Sequence, residues 1–329
     1  MLKIVKSASG KWECVSNFKY FCFTFVFGII AIMNASSYIK ANELKTTFVV
    51  IIASLLLFLV LYFLGNYFLG GGYFWFAMIF SLTSILSSYF FADKLVLKMS
   101  KAIPLEEKIY PQVYTSVKKI AKLASIEMPK LYFIDSDALN AFATGRNPQN
   151  ASVALTRGII EKLNKSELEG VLAHELSHVK NRDILLSTVV AVIVGGLMML
   201  IDYSARMRLW RDDDRSASPF SLIFALVGVI LVPLLSSLIQ MSLSRQREYL
   251  ADATGALLLG DALGLASALS VLKQDHNVLK SASSSTAHLF ISDPFGSKRL
   301  WGSVVANWFS THPPLDKRIQ ILEKLQFTK

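Results

Sequence analysis

Four stretches of this 329-residue chain contain no charged side chain, and they limit its possible folds more than any other feature. Tyr20–Ile39 covers 20 residues, Thr46–Ala92 covers 47, Ile184–Ile201 covers 18 and Ser216–Ser244 covers 29. A helix needs about 20 apolar residues to cross the hydrocarbon core of a bilayer, so the first, third and fourth stretches can each supply one crossing. The second is long enough for two, hinged at Gly70-Gly71-Gly72. A buried helix of a soluble domain could explain the 18-residue stretch, but not four such stretches in one chain. The composition agrees: 53% of residues are hydrophobic and 18% charged, where soluble domains carry about 25% charged residues. The sequence predicts an integral, multi-pass membrane protein whose solvent is partly lipid.

The net charge of +10 has a membrane reading rather than a nucleic-acid one. Lys94, Lys98, Lys101, Lys108, Lys118, Lys119, Lys122 and Lys130 begin directly after the second apolar block. Lysines gathered there mark the cytoplasmic side of a membrane, whereas a nucleic-acid face interleaves basic and aromatic residues. Nucleic acid is therefore excluded as a partner. Two cysteines, Cys14 and Cys22, give no disulfide framework. The resulting division is an extension over 1–45 with a possible extra membrane segment, a membrane hairpin over 46–92 and a cytoplasmic part over 93–183. A second membrane hairpin over 184–240 and a second cytoplasmic part over 241–329 follow. Lys3, Lys6, Lys11 and Lys19 argue that the N-terminus also stays inside, which three crossings would forbid. Either Tyr20–Ile39 does not cross, or the charge rule fails, or the chain starts at Met33. Residues 1–19 do not read as a cleaved signal, because the apolar region after them is long and lacks a small-residue cleavage site.

The chemistry is concentrated in His174-Glu175-Leu176-Ser177-His178. On a helix this run places two imidazoles one turn apart on one face, within reach of a shared metal ion. The glutamate between them then lies beside the metal. Ser166 and Glu169 predict a capping box at the start of that helix, and Leu168, Val171, Leu172 and Leu176 recur at helical spacing. Catalytic zinc sites use three protein ligands and leave one position for water. Candidates for the third are His276, His288, His312, the two cysteines and Glu248. Glu248 and Asp252 stand at i and i+4 in one helical segment, so one carboxylate can bind metal while the other orients a ligand histidine. Taken alone, a glutamate among arginines is more often a solvated helix face; beside the His174–His178 run, the ligand reading is favoured. Arg182 and Asp183, just before the third apolar stretch, are either groups around the metal or a charge pair at the membrane edge.

His174–His178, the Ser244–Asp252 run, Asn140–Gly145 and Thr311–Ile319 together resemble HtpX-type membrane zinc metallopeptidases, relatives of the CaaX prenyl protease. The likeness runs from about Thr46 to Leu325. It implies an α+β, mainly helical zincin (gluzincin) domain, fused to and interrupted by transmembrane helices. It also implies one Zn2+ per chain on His174, His178 and Glu248, with Glu175 as general base. Endopeptidase action on membrane proteins in a bacterial or archaeal cell membrane is implied too. The topology is compatible: two crossings between His178 and Glu248 return the chain to the side it left, so the ligands can meet.

The remaining soluble parts arrange themselves around this site. Glu107–Ala124 reads as an amphipathic helix with Val113, Val117, Ile120 and Ala124 on one face, and Pro111 delays its start. Lys130–Ile134 and Ala151–Leu155 have strand composition. Between them, Asn140-Ala141-Phe142-Ala143 is either the strand edge to which an extended substrate adds or a glycine-terminated turn. His312, held by Pro313-Pro314, is either an oxyanion donor, oriented by Arg318, or a residue organising the start of the last helix. Three function classes follow: a membrane-embedded zinc endopeptidase in membrane-protein quality control, a prenyl-protein processing peptidase, and a non-catalytic zinc scaffold. Glu175 speaks against the third, because a structural site has no use for a base. The partners implied are membrane proteins or peptides as substrates and the lipid bilayer itself. No feature of the sequence specifies an oligomeric state.

Overall fold

A computed structural model describes residues 2–6, 12–15, 40–41, 43–52, scattered positions to 72, then 74–193, 245–292 apart from 280, 284 and 285, residue 294, and 313–327. The helix α1 (Phe74–Met99) leads into the catalytic part. Next come β3 (Ile103–Pro104), α2 (Pro111–Ala124), β4 (Lys130–Ile134), β5 (Ala141–Gly145) and β6 (Ala151–Thr156). The helices α3 (Arg157–Lys162), α4 (Lys165–Lys180) and α5 (Ile184–Ile193) follow in close succession. After residue 244 come α6 (Arg245–Leu259), α7 (Leu263–Gln274), α8 (Leu315–Glu323) and the strand β7 (Leu325–Phe327). Near the N-terminus, β1 (Leu2–Lys6) and β2 (Trp12–Val15) form a hairpin, and β1 pairs in parallel with β7.

The main sheet has the order β3-β4-β6-β5. The strands β4 and β6 run parallel, while β5 is antiparallel to β6 and lies at one margin. The predicted strands are therefore present, and the stretch linking them is a strand rather than a turn. Helix α2 starts at Pro111, whose missing N–H costs nothing in a first turn. Its predicted apolar face, Val113, Val117, Ile120 and Ala124, is fully buried. Burying side chains of this size stabilises by about 1.5–3 kcal/mol each for valine or isoleucine.

Helix α4 is the central element. Its N-cap is Asn164 and the reciprocal capping partner is Glu167, two residues upstream of the predicted Ser166–Glu169 pair. Ser166 instead donates to Asp261, and Glu169 is held by Lys119 and Ser116 of α2. Spacing alone favoured either pair, and the tertiary partners decided between them. Two glycines let other helices close on α4. A Cβ on Gly255 of α6 would lie 3.1 Å from the backbone of Ala173 and His174. One on Gly170 would lie 2.6 Å from the backbone of Leu265 on α7. The close crossing at Gly255 sets the distance from α6 to the two histidines.

Among the described residues no single helix is long and apolar enough to cross a membrane. The two halves of α1, Phe74–Ser84 and Tyr89–Met99, are bent by 65°. Tyr20–Ile39, most of the Thr46–Gly72 region and the hairpin segment 194–244 lie outside the described residues.

Candidate metal centre

His174 and His178 sit on one face of α4, and α6 brings Glu248 opposite them. Ligand atoms of the three residues lie within 4.8 Å of one another. The two Nε2 atoms are 3.2 Å apart, and each lies 3.7 Å from a carboxylate oxygen of Glu248. Two nitrogens bound to one tetrahedral zinc at about 2.0–2.1 Å stand about 3.4 Å apart, so the spacing suits a shared ion.

The opposite ring nitrogens confirm the orientation. Nδ1 of His174 lies 2.9 Å from Asp252, and Nδ1 of His178 lies 3.0 Å from Asp183. A carboxylate at each Nδ1 draws the proton to that side, which leaves the Nε2 lone pairs facing each other. Two lone pairs at this distance repel unless a cation lies between them, and the donor set therefore fits zinc. Asp183 is buried and faces a ring nitrogen of His178. Asp252 takes the orienting role while its helical neighbour Glu248 faces the ligand position.

Arg318 completes the centre. It is fully buried, reaches Asp252 through Nε at 2.8 Å and Nη2 at 2.7 Å, and lies 3.4 Å from Glu248. Sequence reasoning assigned Arg318 to His312; in the structure it neutralises two of the buried carboxylates. A buried aspartate expected to accept from a histidine needs a cation nearby, and that requirement was the signal available in the sequence. His312 itself lies outside the described residues.

Glu175 is buried beside the ligands and accepts a hydrogen bond from the backbone N–H of Ala143 on β5. Burial raises its pKa to about 7, aided by the nearby Glu248 charge and opposed by His178, Ala143 and Arg318. Burial and the Arg318 charge keep His174 below the usual histidine range. Burial also works against a charged His178, but Asp183, Glu248 and Glu175 outweigh it and push the pKa up to about 10. The two rings differ because the cation stands beside His174. The carboxylates that hold a proton on His178 would equally hold a dication in its place.

The other two histidines among the described residues do not join the group. His288 is buried and donates through Nε2 to the carbonyl of Ser187, and His276 lies outside the cluster. Of the four residues expected to form a substrate edge, Ala143 meets Glu175 through its backbone N–H. Asn140 bonds Ser292, the carbonyl of Ala141 accepts from Ile291, and the Phe142 ring packs on Phe290.

A histidine pair on α4 with a buried glutamate between them, and a third ligand, Glu248, from α6, define a zinc-dependent peptidase site. The pattern of peptidase family M48 matches residues 108–326, and the chain belongs to that family. It is a metalloprotease and zinc is its metal. The relatives are named Protease HtpX homolog. That of Thermococcus sibiricus is 45% identical over 260 residues, covering 76% of this chain and 86% of its own. That of Syntrophobacter fumaroxidans is 43% identical, covering 76% and 88%. That of Thermoanaerobacter pseudethanolicus is 39% identical, covering 87% and 97%. Among solved structures, S. mikatae Ste24p aligns over 88% of this chain and 67% of its own, with a TM-score of 0.47 and 20% identity.

Proposed function

We propose that this chain is a membrane-embedded endopeptidase that cleaves membrane or misfolded proteins on the cytoplasmic side, in membrane-protein quality control. The observation that carries the reading is the buried carboxylate of Glu175, fixed by Ala143 beside three convergent ligands. Membrane embedding is supported by the charge-free stretches and by the outer face of α1, where Trp75, Phe76, Ile79, Leu82, Leu86 and Phe91 are exposed. The lysines following that helix support the cytoplasmic placement.

His174, His178 and Glu248 would hold the zinc. When bound, zinc lowers the pKa of a water molecule and polarises the scissile carbonyl. Glu175 takes the proton from the attacking water and passes it to the leaving amine nitrogen. Asp252 and Asp183 hold the imidazoles in the tautomer that leaves Nε2 free to bind. His312 supplies a second donor to the oxyanion. If so, His312→Ala lowers kcat about 10²–10³-fold in zinc-loaded protein. Near-normal turnover per folded molecule removes His312 from the mechanism.

The test of the whole reading is cleavage of a model membrane substrate by the detergent-purified chain. Activity abolished by chelator and restored by zinc supports it, and chelator-resistant cleavage overturns it. Placement has its own test in intact cells. A cysteine placed within residues Asp212–Arg215, between the two crossings expected after Asp183, should react with an impermeant reagent from outside, and Asn150→Cys should not; the reverse pattern sinks the topology.

A further inference from the structure

Two contacts between residues far apart in sequence tie the N-terminal side of the chain to the metal centre. The first is made by backbone. Leu2, Lys3 and Ile4 of β1 stand opposite Leu325, Gln326 and Phe327 of β7, in parallel. On the other flank of β1 lies β2, with Lys3 opposite Val15. A two-stranded hairpin is marginal in water by itself and needs a third strand to hold. Here β7 supplies it.

The point of attachment matters for the centre. β7 follows α8 after a single residue, Lys324. Leu322 and Leu325, on either side of that residue, are buried in the main core, and Arg318 lies one turn before Leu322. A nine-residue helix is too short to be stable alone, so α8 depends on what holds its ends. At its start Asp316 pairs with Lys273, and just beyond its end Leu325 stands opposite Leu2.

The second contact is the ion pair of Glu43 with Arg182. Arg182 stands four residues after His178, and Leu325 seven after Arg318. Neither interval can cross a bilayer, which takes about 20 residues. The hairpin and Glu43 therefore both stand on the metal centre's side of the membrane.

We propose that Leu2–Val15 is a strap, added to β7 on that side, which fastens the end of α8 and so holds Arg318 against Asp252 and Glu248. An even number of crossings then separates Val15 from Glu43, and Tyr20–Ile39 is not a single transmembrane helix. Lys3, Lys6, Lys11 and Lys19 fall on the side that the positive-inside pattern assigns to them. The strap rests on the membrane-embedded reading proposed above, but not on which face is cytoplasmic.

The test uses the full-length chain in its membrane, with Cys14→Ser and Cys22→Ser. Lys3→Cys with Gln326→Cys puts thiols on paired positions of adjacent strands, within disulfide reach. Val15→Cys with Gln326→Cys puts them two strands apart, about 9–10 Å, beyond that reach. Oxidation with copper phenanthroline should bridge the first pair and not the second, read as a bridged peptide by mass spectrometry. Ile4→Cys with Phe327→Cys repeats the test at the next position of the register. Equal bridging in near and far pairs, or none in either near pair, overturns the strap.

Sidedness is read with an impermeant maleimide in intact cells. Ser9→Cys, between the two strands, and Asn150→Cys should be protected together. If both react from outside, the strap stands and only the cytoplasmic reading falls; opposite behaviour of the two overturns the strap. The fastening role is read by amide exchange. Deleting residues 2–15 should speed exchange across residues 315–325 about tenfold, the effect of losing roughly one net hydrogen bond, and leave α4 unchanged. Ile4→Pro, which cannot donate to a ladder, serves if the deletion misfolds. Unchanged exchange across α8 in the folded variant overturns the fastening role.

Discussion

The two ends of the metal centre are built on opposite plans. His174 is fully enclosed, and behind it stand Asp252 and the buried cation of Arg318, delivered by α6 and α8. His178 is mostly buried, at 17% side-chain exposure, and behind it stands Asp183, five residues further along and directly before the apolar helix α5. One imidazole is fixed by long-range tertiary structure, the other by its own neighbourhood at the start of a charge-free stretch. An ion-pair network holds the first ring, and a single carboxylate holds the second. The difference teaches that ligand geometry and protein stability are tied together at the His174 end and separable at the His178 end.

The largest effects come from removing what both ends share. His174→Ala, His178→Ala or Glu248→Ala should each abolish zinc binding, measured as metal content after dialysis. Glu175→Gln should retain one zinc and lose at least about 10³-fold in kcat, because the proton acceptor is gone while the ligands stand. Stoichiometric zinc with normal activity in Glu248→Ala would break the assignment.

The next test separates the ends. Arg318→Leu strands the buried charges of Asp252 and Glu248, and breaking such a pair costs roughly 3–5 kcal/mol. It should show as a large drop in thermal midpoint. Asp183→Asn should, in zinc-loaded protein, lower the midpoint by much less than Arg318→Leu and weaken zinc binding about 10–100-fold, the usual effect of losing a group that orients a ligand. Similar thermal losses in the two variants would erase the contrast.

A pH series sharpens it further. In metal-free protein the raised pKa of His178, about 10, means the folded state binds that proton more tightly than the unfolded chain does. Its contribution to stability is fully present below about pH 6.5 and is lost as pH rises through 10. Zinc competes with the same proton, so the gap in thermal midpoint between zinc-loaded and metal-free protein should widen from pH 6.5 upward. Asp183→Asn should flatten that widening. A gap that narrows with rising pH would contradict the assignment. The smallest effect belongs to the helix carrying both rings: Asn164→Ala removes its N-cap and should cost about 1 kcal/mol by chemical denaturation.

The sequence showed the chemistry more clearly than its support. His174, Glu175 and His178 lie within five residues, so helical periodicity alone places them together. Glu248 and Asp252 were legible as a pair for the same reason, and the family likeness assigned the ligand role to the first. The strands β4 and β6 were visible in their β-branched and aromatic residues. The start of α4 was misplaced because Ser166–Glu169 and Asn164–Glu167 satisfy one spacing rule. Only contacts from α2 and α7, distant in sequence, choose between them.

What the sequence determined by itself is local and periodic: charge-free stretches of membrane length, a metal-binding helix face, and a base between two ligands. Tertiary structure alone decided which cation meets Asp252 and which segment borders Ala141 on β5. Those depend on contacts between residues tens to more than a hundred positions apart, such as Arg318 with Asp252 and Ile291 with Ala141. No local pattern encodes them, because they arise only when helices close on α4 at its small residues and the chain after α7 returns to the sheet margin.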